Sequence, residues 1–417
     1  MGLPFLVFAD SKGKIYSHPR LRMAVAAWGG FSLPQPSELI APPEGTTFFY
    51  MPGRAAVGFD LSTRSFVTLS RYQGKKVFAA AAFLVPAYLR LYSPAYEVCE
   101  KKNMPLWAYA ACGFYSGRFL VAATRVDPLR RQSPRFYDNK KVRTKVKEFL
   151  NRYPANRLYR HLANCALNYN CLAAKNLFLK RWEAPLPAAR TCNARCIGCL
   201  SYQDSECAAS HQRINFAPDA DEIAQVAVNH LRAAPEAIVS FGQGCEGEPL
   251  TEGAELAKAV RKIRQATDRG TINFNTNASL PGKIDLLCRA GVDSFRVSLC
   301  SPREEIYRRY FRPVSYRFAD VLRSMAAIKK HKKFLSINLF VFPGVTDSQE
   351  ELKALTRLVS EHGVDMIQWR NLNIDPELYR QALAGIANND MGILNVVAEM
   401  KQRFPKLKMG YFNPALR

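Results

Sequence analysis

The sequence predicts an α/β protein: an open, partial (βα)6 barrel from about Glu183 onward, preceded by a basic α+β domain. Short apolar runs alternate with amphipathic ones after Glu183, the pattern of βα units and a parallel sheet. Helix-start and helix-stop residues fall between those runs. The first 125 residues instead show short strands punctuated by turn residues.

In chain order, Phe5–Phe8 and Ile15–Tyr16 flank Asp10-Ser-Lys-Gly13 and predict a hairpin. Phe48–Met51 and Ala56–Phe59 flank Pro52-Gly53 and predict a second. Pro34, Pro36, Pro42 and Pro43 predict a surface loop between them. Val142, Val146 and Phe149 put one apolar stripe on a helix over Lys141–Leu150. A further helix is expected over Leu162–Leu179, leading into the barrel and carrying Cys165 and Cys171. The expected division is residues 1–180, a basic domain suited to recognising a substrate, and 181–417, the barrel with a helical carboxyl-terminal extension.

The predicted barrel strands are Pro185–Ala189, Ala237–Phe241, Thr271–Asn275, Ser294–Leu299, Phe334–Phe342 and Met366–Trp369. The predicted helices are Asp219–Ala233, Thr251–Thr267, Lys283–Arg289, Phe318–His331 and Ser348–Glu361, with stops at Gly291 and Gly363. Six strands are too few for a closed eight-fold barrel. In barrels chemistry gathers at the carboxyl ends of the strands.

The chain has 417 residues and a net charge of +24, unevenly spread: residues 1–190 carry 29 Lys+Arg against 10 Asp+Glu, a net of +19. The densest run, Arg125–Arg160, interleaves Arg and Lys with Tyr137, Phe149, Tyr153 and Tyr159, a composition that binds phosphates and stacks bases, or else is a solvated helical face. Neither Leu3–Ala9 nor Val77–Tyr88, which Pro86 interrupts, is long enough to span a membrane. Eleven cysteines without a basic-then-apolar leader predict free thiols in a reducing, cytoplasmic setting. Cys99, Cys112, Cys165 and Cys171 match no ligand spacing and are expected to be buried structural thiols.

Cys192, Cys196 and Cys199 lie in Thr191-Cys-Asn-Ala-Arg-Cys-Ile-Gly-Cys-Leu200, a CxxxCxxC spacing. Three thiolates so placed can hold three irons of a four-iron cluster and leave the fourth open to a ligand. Cys196 and Cys199 alone also fit a zinc half-site or a redox pair, and Cys207 would complete a four-cysteine zinc site.

The CxxxCxxC stretch resembles the cluster-binding loop of the radical S-adenosylmethionine (radical SAM) superfamily, and the resemblance extends over about residues 183–375. Its frame, a partial TIM-like barrel, orders the residues that follow. Gly247-Glu248-Pro249 resembles the family's Gly-Gly-Glu-Pro turn after the second strand. Asn273, Asn275 and Asn277 at the third strand share a face, as do Arg296 and Ser298 on the fourth. Gln368-Trp-Arg370-Asn371 ends the sixth. The resemblance implies a [4Fe-4S] cluster on Cys192, Cys196 and Cys199, with S-adenosyl-L-methionine bound by Gly247, Glu248, Asn275, Asn277, Ser298 and Arg370. It implies an oxygen-sensitive enzyme served by an electron donor such as flavodoxin or ferredoxin.

Three residues depart from the family pattern. Gly198 stands where relatives often have an aromatic residue near the adenine, so the bulk must come from Ile197 or elsewhere. Glu246 replaces the first glycine of the turn. Cys245 beside it reads as a small buried residue or a reactive thiol. No cysteine follows Cys300, so an auxiliary-cluster extension is not expected.

The leading expectation is an enzyme that reductively cleaves S-adenosylmethionine to a 5′-deoxyadenosyl radical and takes hydrogen from a substrate. RNA and peptide are both candidates for contact with the basic domain, the peptide by strand addition to the early hairpin. The alternative is a non-catalytic zinc- or iron–sulfur-bearing nucleic-acid-binding protein.

Overall fold

The structure, a computed structural model, describes residues 2–28, 30–203, 209–386 and 391–417. Its second part is a parallel sheet curled into a half-barrel. Seven strands follow in chain order: Glu183–Pro185, Ile238–Phe241, Thr271–Thr276, Ser294–Leu299, Phe334–Val341, Met366–Asn371 and Lys408–Gly410. Five of the six expected strands form within two residues of their expected ends, while the first lies earlier than expected and shares only Pro185 with the expected Pro185–Ala189. The seventh pairs with Met366–Asn371 at the edge, and its three residues are too few to register as a periodic run.

Strand alternation separates two chemistries. Phe241, Phe274 and Phe295 stack in sequence across three strands, with ring centroids 4.3 and 5.9 Å apart, on one face of the sheet. The other face is polar and knitted together. Glu183 accepts from Ser240 (2.6 Å) and Asn413 (2.7 Å), Gln368 donates to Asn413 (2.8 Å), and Arg296 donates to Gln368 (3.0 Å). Asn413 reaches this network because the last residues of the chain fold back over the barrel.

The five expected helices form as Ala220–Ala233, Gly253–Ala266, Pro281–Ala290, Phe318–Lys330 and Gln349–His362. Asp219 caps the first, in a capping box with Glu222. Gly291 and Gly363 end the third and fifth in left-handed conformation. A sixth helix, Glu304–Phe311, went unpredicted although Ile306, Tyr307, Tyr310 and Phe311 share one buried face. The helix expected over Leu162–Leu179 is two, Arg157–Leu167 and Leu172–Leu179, because the chain turns at Asn170 (φ +53°). With Asn139–Arg152, these helices share a hydrophobic cluster with the barrel.

Among the described residues the front part holds a twelve-stranded antiparallel sheet and a small three-stranded one of Ser93–Pro94, Val25–Ala27 and Gly30–Ser32. The first hairpin forms between Phe5–Asp10 and Ile15–Met23, but it sits in the middle of the sheet. Neither of its strands is an edge to which a partner strand can be added. The second expected hairpin does not form. Thr47–Tyr50 pairs with Lys75–Phe83, while Arg54–Asp60 pairs with Ile15–Met23, Ser65–Leu69 and Tyr96–Val98. Gly53 instead receives the N–H groups of Cys99 and Glu100 on its carbonyl.

The front sheet docks against segments that follow the carboxyl ends of the fifth and sixth barrel strands. A Cβ on Gly344 would stand 2.1 Å from the Trp28 nitrogen, so the two loops touch through backbone. Arg90, fully buried, donates to the Leu372 carbonyl (3.2 Å). Arg54 pairs with Asp375 at 3.4 Å, both buried. Among the described residues no helix is long and apolar enough to cross a membrane.

His230 fastens the first barrel strand from beneath. Its Nε2–H donates to the Trp182 carbonyl (2.7 Å), while Nδ1 is buried without a partner. Protonating Nδ1 would bury an unpaired charge, so burial pulls this imidazole from its usual 6.5 down to about 4. Between those values the unfolded chain binds the extra proton and the folded chain does not. Stability is therefore full above pH 6.5 and falls as pH drops towards 4, by roughly 3 kcal/mol at most. Urea unfolding of wild type and His230→Gln at about pH 7 and about pH 5 should show this part of the slope only in the wild type.

Candidate active site at the carboxyl ends of the barrel strands

The loop after the first strand carries Cys192, Cys196 and Cys199, and the turn after the second carries Glu246, Gly247 and Glu248. Backbone bonds zip the two together: Gly247 N–H to the Ala189 carbonyl (2.7 Å) and Glu248 N–H to the Thr191 carbonyl (2.9 Å). A Cβ on Gly247 would lie 1.9 Å from the Thr191 oxygen, so only glycine lets the strands of this zip close. Gly242 meets the same constraint at Asn275, where a Cβ would stand 1.7 Å from the carbonyl oxygen.

Glu246, the departure from the expected glycine, does structural work that spacing did not disclose. Its buried carboxylate accepts from Ala188 N–H (2.8 Å), Ala189 N–H (3.0 Å) and Gln243 N–H (2.8 Å). It clamps the approach to the cysteine loop onto the turn. Glu248 is buried too, accepting from Asn277 N–H (2.7 Å), Leu250 N–H (3.0 Å) and the Thr276 hydroxyl. Burial pushes both carboxyls up to about 7, against the pull of these donors.

One cavity of about 200 Å³ is lined by all three cysteines together with Gly247, Glu248, Asn275, Asn277 and Ser298. Of the expected cofactor contacts, only Arg370 is not on that wall. Its guanidinium lies on the Tyr411 ring (3.7 Å to the centroid) and donates to the Tyr411 carbonyl (2.7 Å). The amides of Asn275 and Asn277 bond to the Phe241 carbonyl (2.8 Å) and to Asn193 (2.9 Å), joining the third strand to the turn and the cysteine loop.

Three further lining residues were not anticipated. Tyr310 stands against Gly198, where a Cβ would be 2.8 Å from its hydroxyl, and Phe340 adjoins it at 6.0 Å between ring centroids. The aromatic wall therefore comes from the unpredicted helix, and Ile197 points into the core. Arg213 sets its guanidinium 3.6 Å from the Cys199 sulfur and 3.1 Å from the Ser201 hydroxyl. No motif marked it; it approaches from a segment without regular structure. Cys207 lies outside the described residues.

Among the described residues, the group of three metal-ligating side chains whose donor atoms all lie within 4.8 Å of one another is His161, Cys165 and Cys245. Cys192, Cys196 and Cys199 are not such a group. A single zinc would need its thiolates about 3.8 Å apart, from Zn–S bonds of about 2.3 Å at tetrahedral angles. A cluster that gives each thiolate its own iron takes them wider. Burial raises the Cys192 thiol to about 11 and holds the Cys196 thiol well above its usual value, so these two favour thiolates only with cationic metal beside them. By contrast the Cys165 thiol is held low, by its bond with Cys245 first and by His161 next.

Residues 186–356 match the Radical SAM superfamily model, so this segment is similar to that family, as the sequence resemblance implies. The family's cofactors are a [4Fe-4S] cluster and S-adenosylmethionine, and the three-thiolate loop and its cavity fit them. The match does not favour the non-catalytic alternative. No curated protein matches the chain. Similar solved structures include Streptococcus suis SuiB bound to precursor peptide SuiA (14% identity, TM-score 0.40, 59% of this chain and 51% of that one). Methylornithine synthase PylB is similar at 15% identity and TM-score 0.39, over 64% of this chain and 74% of that one. The FeFe-hydrogenase maturase HydG from Carboxydothermus hydrogenoformans gives 15% and 0.38, over 65% and 70%. The chain spans about half the length of SuiB.

Replacing Glu246 by Ala strands three buried N–H groups, each worth about 1–3 kcal/mol when left unmade. Glu246→Ala should lose on the order of 3 kcal/mol in chemical unfolding. Gly247→Ala should keep the far-ultraviolet circular dichroism of the barrel yet fail to assemble iron, read as loss of the cluster's visible absorbance.

Proposed function

We propose that this protein is a radical SAM enzyme whose cluster sits on Cys192, Cys196 and Cys199 and whose S-adenosylmethionine lies in the adjoining cavity. The single observation supporting the assignment is that one cavity is lined by all three cysteines and by five of the six expected cofactor contacts. Cys192, Cys196 and Cys199 would hold the cluster, which would supply the electron for reductive cleavage of S-adenosylmethionine and so the chemistry for hydrogen abstraction from a substrate.

The protein's own part is placement. The turn at Gly247 and Glu248 presents backbone and a buried carboxylate to the ammonium group of the ligand. Asn275, Asn277 and Ser298 line the side suited to its hydroxyls, and Tyr310 with Phe340 forms the apolar wall that Gly198 does not supply. Arg213 places its guanidinium beside the Cys199 sulfur and the Ser201 hydroxyl, at the edge of the cluster loop. Arg370, committed to Tyr411, acts on the carboxyl-terminal segment rather than on the ligand.

Residues 1–180 form the substrate-selecting part and 181–417 the catalytic part in this reading. The docking of the front sheet beside the carboxyl ends of the fifth and sixth strands supports it, since that is the end of the barrel where the cavity opens. A cytoplasmic flavodoxin or ferredoxin is the electron donor we expect.

Protein purified without oxygen should hold a [4Fe-4S] cluster and cleave S-adenosylmethionine when reduced. Cys196→Ala should abolish both, and Cys207→Ala should leave both intact. Stoichiometric zinc on the loop with no cleavage would overturn the assignment.

A further inference from the structure

We propose that His161, Cys165 and Cys245 form a second metal site, for one divalent cation of the zinc class, separate from the cluster loop. His161 and Cys165 are four residues apart on the helix Arg157–Leu167, which puts both on one face. Cys245 meets them from the turn after the second barrel strand, and all three donor atoms lie within 4.8 Å of one another. The Cys165 sulfur is 3.6 Å from His161 Nε2. With Zn–S of about 2.3 Å and Zn–N of about 2.0–2.1 Å at tetrahedral angles, the sulfur-to-nitrogen edge is about 3.6 Å, so that pair needs no movement.

Two thiolates and imidazole nitrogen are the donors that select zinc over calcium, magnesium or manganese. Both cysteines are buried, at 2% and 6% exposure, which suits a closed structural site more than a reactive one. His211 lies near this group but outside it, and would have to move in to supply a fourth ligand. Its Nδ1 is buried without a partner, its ring stacks on Tyr169, and it is an electrostatic neighbour of Cys165. Its segment continues to Ile214, whose N–H bonds to the Cys245 carbonyl (2.8 Å).

The site would tie three separate stretches: the helix before the barrel, the crossing segment at His211–Ile214, and the turn that carries Glu246, Gly247 and Glu248. A metal there holds the turn from the side opposite the cluster loop.

The test uses the full chain with Cys192, Cys196 and Cys199 all changed to Ala, purified without oxygen, so that the cluster loop cannot bind the probe. Zinc should remain at one equivalent per chain. Cobalt(II) exchanged into the same protein should show the intense visible bands of a tetrahedral site and a thiolate-to-cobalt charge-transfer band. Adding Cys165→Ser or Cys245→Ser should bring zinc to background and abolish the charge-transfer band. His161→Gln, the mildest change, should weaken zinc retention at least tenfold with unaltered circular dichroism.

Absence of zinc and cobalt binding from the cluster-loop variant, with the thiols of Cys165 and Cys245 still titratable, would overturn the proposal. So would a Cys165–Cys245 disulfide found by mass spectrometry in anaerobic protein, or zinc retained after both serine changes. None of these outcomes bears on iron assembly by the wild-type loop, so this site and the cluster assignment stand or fall separately.

Discussion

The site depends on the closure between the cysteine loop and the turn after the second strand. Two backbone hydrogen bonds and one buried carboxylate hold it, and Gly247 permits it by having no side chain. Each of these is a short-range contact in a region where burial makes unpaired groups costly. The closure therefore has two states, made or broken, rather than a range of looser versions. When it is made, Glu248 is carried to Asn277 and Thr276, and the third strand joins the same assembly. The cavity wall is thus one hydrogen-bonded unit built from three strand ends.

The barrel was legible because parallel strands and their covering helices each leave a periodic signature, and caps such as Asp219 and Gly363 mark the helix ends locally. The cysteine loop stood out by its spacing, which left a zinc site open, and the Gly247-Glu248 turn only by its resemblance to a family motif. What stayed hidden has a common cause: it depends on distant partners. Glu246 looked like a blemish in a motif, and its importance lies with Ala188 and Ala189, nearly sixty residues earlier. Cys165 and Cys245 looked unrelated for the same reason, yet they meet across eighty positions. The failed hairpin at Pro52-Gly53 teaches the converse. A good turn sequence sets local direction, but pairing is settled by which strands offer a matching face.

Polar residues fill the inner face of this half-barrel where closed barrels carry apolar layers. The half-barrel can tolerate that because its carboxyl-terminal segment returns to satisfy it. Asn413 bonds both Gln368 and Glu183, and Tyr411 accepts from Arg370 while lying under its guanidinium. Asp127 of the front part holds the same segment, accepting from Tyr411 and Phe412 N–H at 2.8 and 3.1 Å. The front sheet is consequently coupled to the barrel floor as well as to its rim. This is a firmer union than two linked modules need, and it fixes the front surface relative to the cavity.

That fixed geometry narrows what the basic segment can do. Tyr137 and Tyr159 are buried, Tyr159 stacks on Tyr153 (5.0 Å between centroids), and Phe149 packs against Phe178. Tyr137 and Tyr159 are therefore helix-packing residues that cannot stack bases, whereas Phe149 and Tyr153 are half-buried and reach the surface. Lys141, Lys145, Arg152 and Lys180 line one open cleft together with Glu148, Phe149 and Tyr153. A phosphate or carboxylate recognised there would be held by those cations, and its binding would weaken with salt. Since the helices bearing these cations share their core with the barrel, such a contact would pull on the catalytic part directly and not through a flexible linker.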